Sequence, residues 1–78
     1  DHSTLYPREL VKRALHHGAT ALVLVHNHPS GDIDPSEDDI TLTHAVMEAL
    51  TPINITLHDH LIIGRKGYFS FRSKGLIA

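Results

Sequence analysis

Two hydrophobic periodicities alternate along the chain, and the switches between them mark its elements. From Pro7 to His17 the apolar residues Leu10, Val11, Ala14 and Leu15 recur at helical spacing. Pro7 suits a first helical turn and Gly18 can end the helix. The run Ala21-Leu22-Val23-Leu24-Val25 breaks that spacing, and its continuity predicts a strand over residues 20–26 buried on both faces. Helical spacing returns at Ile40, Leu42, Ala45, Val46, Ala49 and Leu50, which predicts a helix over residues 36–50 stopping near Thr51-Pro52. Asn54–Ile63 and Tyr68–Phe71 then read as two strands of an antiparallel hairpin joined through Gly64-Arg65-Lys66-Gly67. The strand-helix-strand order across residues 20–63 predicts an α/β crossover, and open α/β sheets place their sites at the carboxyl ends of strands. No repeat, low-complexity tract or linker divides the chain, so residues 1–78 read as one domain.

The most specific polar residues fall at that strand end. His26-Asn27-His28 follows the apolar run directly. Residues two apart in an extended chain share a face, so the two imidazoles can converge on one ion. Pro29 keeps His28 out of helical backbone angles, and Ser30-Gly31 turns the chain. Pro35-Ser36-Glu37-Asp38-Asp39 opens the second helix, placing Asp39 in a first turn that faces back toward the histidines, where the helix dipole favours a carboxylate. Two histidines and an aspartate leave the fourth position of tetrahedral zinc to water, as in catalytic rather than structural sites. A second reading stands beside this one: Ser36 and Asp39 match a Ser-x-x-Asp helix cap, with Asp34 as a competing cap, and the two roles are compatible.

The spacing His-x-His, seven residues, Ser, two residues, Asp is met by His26, His28, Ser36 and Asp39, and it resembles the JAMM motif of MPN-type metalloenzymes. More narrowly, three segments together resemble the bacterial RadC family: His26-Asn27-His28-Pro29-Ser30-Gly31-Asp32 with Pro35-Ser36 and Asp39, the upstream Tyr6-Pro7-Arg8-Glu9, and the downstream Asp59-His60-Leu61-Ile62-Ile63-Gly64. The resemblance covers essentially the whole chain. It implies an α/β, MPN (JAMM), cytidine-deaminase-like fold with a central mixed sheet flanked by helices. It implies zinc held by His26, His28 and Asp39, with Ser36 as a catalytic residue supporting the attacking water or the oxyanion. It implies hydrolysis of an amide or isopeptide bond in a peptide or protein substrate. In the family pattern a glutamate general base stands on a strand well before the His-x-His. Glu9, Glu37 and Glu48 are the only glutamates here and none stands at that place, so the expectation is that the chain is the C-terminal portion of the domain.

Charge narrows the partners. Nine acidic against seven basic residues give a net charge of −2, whereas nucleic-acid-binding domains usually carry a basic excess. Basic residues do cluster at Arg65, Lys66, Arg72 and Lys74, and more weakly at Arg8, Lys12 and Arg13. Arg65 and Lys66 are the candidates for phosphate contact, ordinary solvated side chains being the plainer reading. Members of the resembled family are associated with DNA repair, so a DNA- or protein-binding module with a structural zinc is the alternative to an enzyme. No apolar run approaches the roughly 20 residues of a membrane span and no signal pattern is evident, which predicts a cytoplasmic protein without membrane contact. The chain has no cysteine, excluding disulfides and thiolate metal sites.

His58-Asp59-His60 interrupts an otherwise apolar strand, and alternation predicts His58 and His60 on one face with Asp59 on the other. A second metal site is one reading. The preferred one has Asp59 or His60 orienting a ligand imidazole, as metal-bound histidines usually require. His16, His17 and His44 read as surface residues. A sheet without upstream strands would expose an edge open to homodimerisation.

Overall fold

The computed structural model describes residues 6–29 and 31–77. The elements run α1 (Pro7–His16), β1 (Ala21–Asn27), α2 (Glu37–Leu50), a short 3₁₀ turn (Thr51–Ile53), β2 (Thr56–Gly64) and β3 (Gly67–Ser70). The three strands form one mixed sheet in the order β1-β2-β3, with β1 and β2 parallel and β2 and β3 antiparallel. Since α2 connects the parallel pair, the architecture is α/β, as the strand-helix-strand order predicts. Among the described residues no helix is long and apolar enough to cross a membrane.

Local chemistry explains where each helix begins and ends. Pro7 opens α1. At its other end Gly18 takes φ +64°, its N–H bonding to Leu15 O while Ala19 N–H bonds to Ala14 O, the paired closure that a left-handed glycine permits. Ser36 caps α2 through a reciprocal capping box: Ser36 Oγ accepts from Asp39 N–H at 3.0 Å, and Asp39 Oδ2 accepts from Ser36 N–H at 2.8 Å. Pro52 lies in the 3₁₀ turn that follows, and Asn54 adopts a left-handed φ of 59°, which delays the start of β2 to Thr56.

The core gathers Ala14 of α1, Leu24 of β1, Val46 and Leu50 of α2, Leu57 and Ile62 of β2, and Ile55, Phe71 and Ile77 from the connecting segments. Helix α1 packs on α2, and α2 packs on β2. Leu15, grouped with the apolar stripe by its spacing, is exposed.

Two expectations are corrected. Strand β1 is not buried on both faces: Leu24 is 7% exposed, but Val23 is 48% and Val25 63% exposed. The helices cover the face that carries Leu22, Leu24 and His26, and among the described residues β1 is an outer strand paired with β2 alone. Nor do His58 and His60 share a face. The β1/β2 register slips by one residue, Leu22 pairing with Leu57 and Val23 with Asp59, so His58 is passed over. That irregularity resets the alternation, and Leu57, His60 and Ile62 are buried while His58 is exposed.

Candidate metal centre

The covered face of β1 runs Leu22, Leu24, His26, so the strand that anchors the core also delivers the first imidazole. His28 lies just past the strand. Its N–H bonds to Ile63 O at 3.0 Å, extending the β1/β2 pairing one step, and its carbonyl accepts from Gly31 N–H at 2.9 Å. Gly31 closes this turn with φ +90°, a conformation that favours glycine. Ser30, the other residue of the expected turn, lies outside the described residues. The turn brings Asp32 O within 2.7 Å of His28 Nδ1. A carbonyl only accepts, so Nδ1 carries the proton and Nε2 keeps its lone pair.

Asp39, 5% exposed, approaches from the first turn of α2. Its Oδ1 lies 3.1 Å from His26 Nδ1 and its Oδ2 3.3 Å from His28 Nε2. One potential ligand atom from each of the three residues lies within 4.8 Å of the others. Burial alone would raise the Asp39 pKa. Hydrogen bonds from the Ser36 backbone and side chain, then the charges of His26 and His28, outweigh it and hold the carboxyl below its usual value. Two nitrogens and one ionised oxygen form a donor set suited to zinc, and Oδ2 serves the helix cap while Oδ1 faces His26. The capping and ligand readings of Ser36-x-x-Asp39 therefore fall on the same residue through different oxygens. Ser36 Oγ accepts from Asp39 N–H, and its own proton is directed at the Asp39 carboxyl.

The Asp59-His60 pair divides. Asp59 faces the turn after β3: it accepts from Ser70 Oγ at 2.6 Å, Arg72 N–H at 3.0 Å and His60 N–H at 2.7 Å. None of these bonds goes to His26 or His28, so Asp59 orients no ligand imidazole directly. Desolvation opposes ionisation of Asp59, yet the bonds from Ser70, Arg72 and His60 with the Arg72 charge keep its pKa below the usual value. His60 is 1% exposed and lies under the site. Its Nδ1 is 2.7 Å from Thr43 Oγ1, and Thr43 Oγ1 donates to Asp39 O at 2.7 Å. The His60 ring stacks on Phe71 with centroids 4.5 Å apart, and lies nearly parallel to His26 at 6.1 Å. Burial lowers its pKa, aided by His26 and His28 and opposed by Asp39 and Asp59.

Arg65 and Lys66 are exposed on the β2/β3 turn, and β3 separates them from Arg72 and Lys74. Sequence reasoning missed Thr43 and Phe71. A threonine four residues after Asp39, on the buried side of an otherwise apolar helix stripe, was the available signal for the first.

The His-x-His and Ser-x-x-Asp spacing thus sits at the strand end and helix start that it requires, on a sheet with the expected parallel crossover and antiparallel hairpin. A family model described as the RadC-like JAB domain matches residues 1–76, and with that match over nearly all of its length the chain belongs to the RadC-like JAB domain family.

Proposed function

We propose that this domain is a zinc-dependent hydrolase-type module acting on an amide or isopeptide bond of a peptide or protein, with His26, His28 and Asp39 as the metal ligands. The observation that carries the reading is the convergence of three ligand groups within 4.8 Å, one of them already fixed by a bond to the opposite ring nitrogen. Zinc bound here would supply a Lewis acid that acidifies water and polarises a carbonyl. The chain's own residues prepare the site. Asp39 is anionic at neutral pH and its carboxyl is held below the usual value despite burial, which favours a cation between it and the imidazoles. The Asp32 carbonyl holds the His28 ring so that Nε2 points inward. The Ser36 hydroxyl, anchored by the helix cap, would turn its one proton from the Asp39 carboxyl to a developing oxyanion. In the JAMM pattern the water's proton goes to a glutamate on a strand before the His-x-His. Glu9, Glu37 and Glu48 stand elsewhere, on α1 and α2.

The competing reading, a nucleic-acid-binding module with a structural zinc, gains little. The net charge is −2, where a nucleic-acid-binding domain usually carries a basic excess. The test is metal content by mass spectrometry on chain purified without chelators or metal-affinity tags. About one zinc per chain in the parent and none in His26→Ala/His28→Ala is the expected result for a single three-ligand site. Equal content in both would remove these histidines from the ligand set.

A further inference from the structure

We propose that Thr43 and His60 are positioning residues for the metal site, Thr43 tethering the turn that carries Asp39 and His60 forming the floor beneath the His26 ring. The inference rests on the metal-site reading above.

The two side chains are among the most buried in the protein, at 0% and 1% exposure, and both are polar. Buried polar groups are costly unless bonded, and a valine beside a leucine would fill much the same space without any such requirement. What an apolar pair could not supply is direction. The Asp39 carbonyl can only accept, so the Thr43 hydroxyl donates to it, and Thr43 Oγ1 in turn accepts from His60 Nδ1–H. This chain joins the middle of β2 to the peptide of a ligand residue on α2. It holds the helix start in register with the strand next to the one that carries His26.

The second contact is ring on ring. Phe71, His60 and His26 form a ladder with interplanar angles of 10° and 19°, running from the core to the site. His26 is partly exposed, its side chain 43% accessible, so the inner face of its ring is where the protein can restrain it. Asp59 contributes from the other side of β2: by gripping Ser70 and Arg72 it fixes the turn on which Phe71 sits, and Phe71 backs His60. Two adjacent residues of one strand thereby serve the site by different routes, neither of them a hydrogen bond to a ligand imidazole.

The test is Co²⁺ and Zn²⁺ affinity of the 78-residue chain, measured by competition with a chromophoric chelator, together with the visible absorption of bound Co²⁺. Thr43→Val and His60→Leu should weaken binding by about 10- to 100-fold, the usual effect of losing a group that orients a ligand, and should shift the Co²⁺ bands. Thr43→Ser, which keeps the hydroxyl, should bind as the parent does. His60→Asn keeps a donor near the Nδ1 position but loses the ring, and should fall between. A role confined to stability would lower the melting temperature of the metal-free variants with affinity and spectrum unmoved, and that result overturns the proposal. If His60→Leu does not fold, the near-isosteric Thr43→Val decides the question against Thr43→Ser. Absence of binding in the parent would overturn the metal-site reading and this proposal with it, whereas parent-like binding in Thr43→Val overturns the positioning role alone.

Discussion

Replacing Gly64 with alanine should destabilise the protein and loosen the candidate metal site together. Gly64 ends β2 directly against the loop that follows His28, and a Cβ built there would lie 2.5 Å from Ile33 Cγ2 and 2.7 Å from Gly31 O. The Ile33 methyl can rotate aside, but the carbonyl can move only with its loop. Restoring an ordinary separation of about 3.5 Å displaces it by about 0.8 Å. Overpacking of this kind costs about 1–3 kcal/mol. A glycine in an open strand position behaves oppositely, becoming more stable by about 0.5–1 kcal/mol on replacement by alanine. The net expectation is a loss of about 1–2 kcal/mol, which in a domain of this size lowers the melting temperature by about 4–16 °C. A Cβ added at Gly67, in the same hairpin, would meet no atom within 4 Å, and Gly67 has no positive φ. Gly67→Ala therefore provides the matched control and should melt at or above the parent temperature. Thermal unfolding followed by circular dichroism reads both. The displaced segment leads into Asp32, whose carbonyl holds His28 Nδ1, so metal affinity should fall in Gly64→Ala and not in Gly67→Ala. A Gly64→Ala protein as stable as the parent would refute the close approach from which this argument starts.

Two further expectations test the site and its surroundings. Asp39→Asn retains an oxygen to accept from Ser36 N–H but has no anionic oxygen to offer a cation, so helix content should persist while metal affinity collapses; circular dichroism and chelator competition on one sample check both halves. Stability of the metal-free protein should fall on acidification in two windows. His60 has a depressed pKa in the folded state, so the unfolded chain takes up its proton first; that stability is complete above about pH 6.5 and is lost as pH drops toward the folded value. Asp39 and Asp59 are also depressed, so their contribution is present above about pH 4 and is lost as pH falls through their folded values. Urea denaturation across this range should show both slopes, with His60→Leu removing the upper one; a flat profile from about pH 7 to 5 would contradict the burial of a neutral His60.

The parts of the fold that sequence disclosed are those set by neighbours in the chain. The shared face of His26 and His28 follows from strand parity, and the seat of Asp39 from the capping box that begins at Ser36. What sequence hid depends on pairs remote from one another. The exposure of Val23 and Val25 reflects which elements cover β1, and a continuous apolar run carries no information about that. The face occupied by His58 turned on a register slip, a joint property of β1 and β2 that neither strand displays alone. The close approach of Gly64 to the Gly31–Ile33 segment likewise belongs to two positions brought together only by the parallel pairing.

Asp39 shows why the candidate ligand set could nonetheless be legible. Its Oδ2 satisfies the backbone at the start of α2, its Oδ1 faces His26, and its carbonyl ends the chain of bonds from His60 through Thr43. A residue that starts a helix must stand at a fixed offset from the cap, and a residue that faces a strand end must stand at the helix start. Both demands fall on the third position after Ser36, so the local signal for the helix and the spacing of the candidate ligands are one pattern. Formation of α2 and assembly of the candidate site are then coupled through a single carboxylate. A cation that favours its ionised form also favours the helix cap, and the metal should stabilise the fold by the amount that it prefers the assembled site.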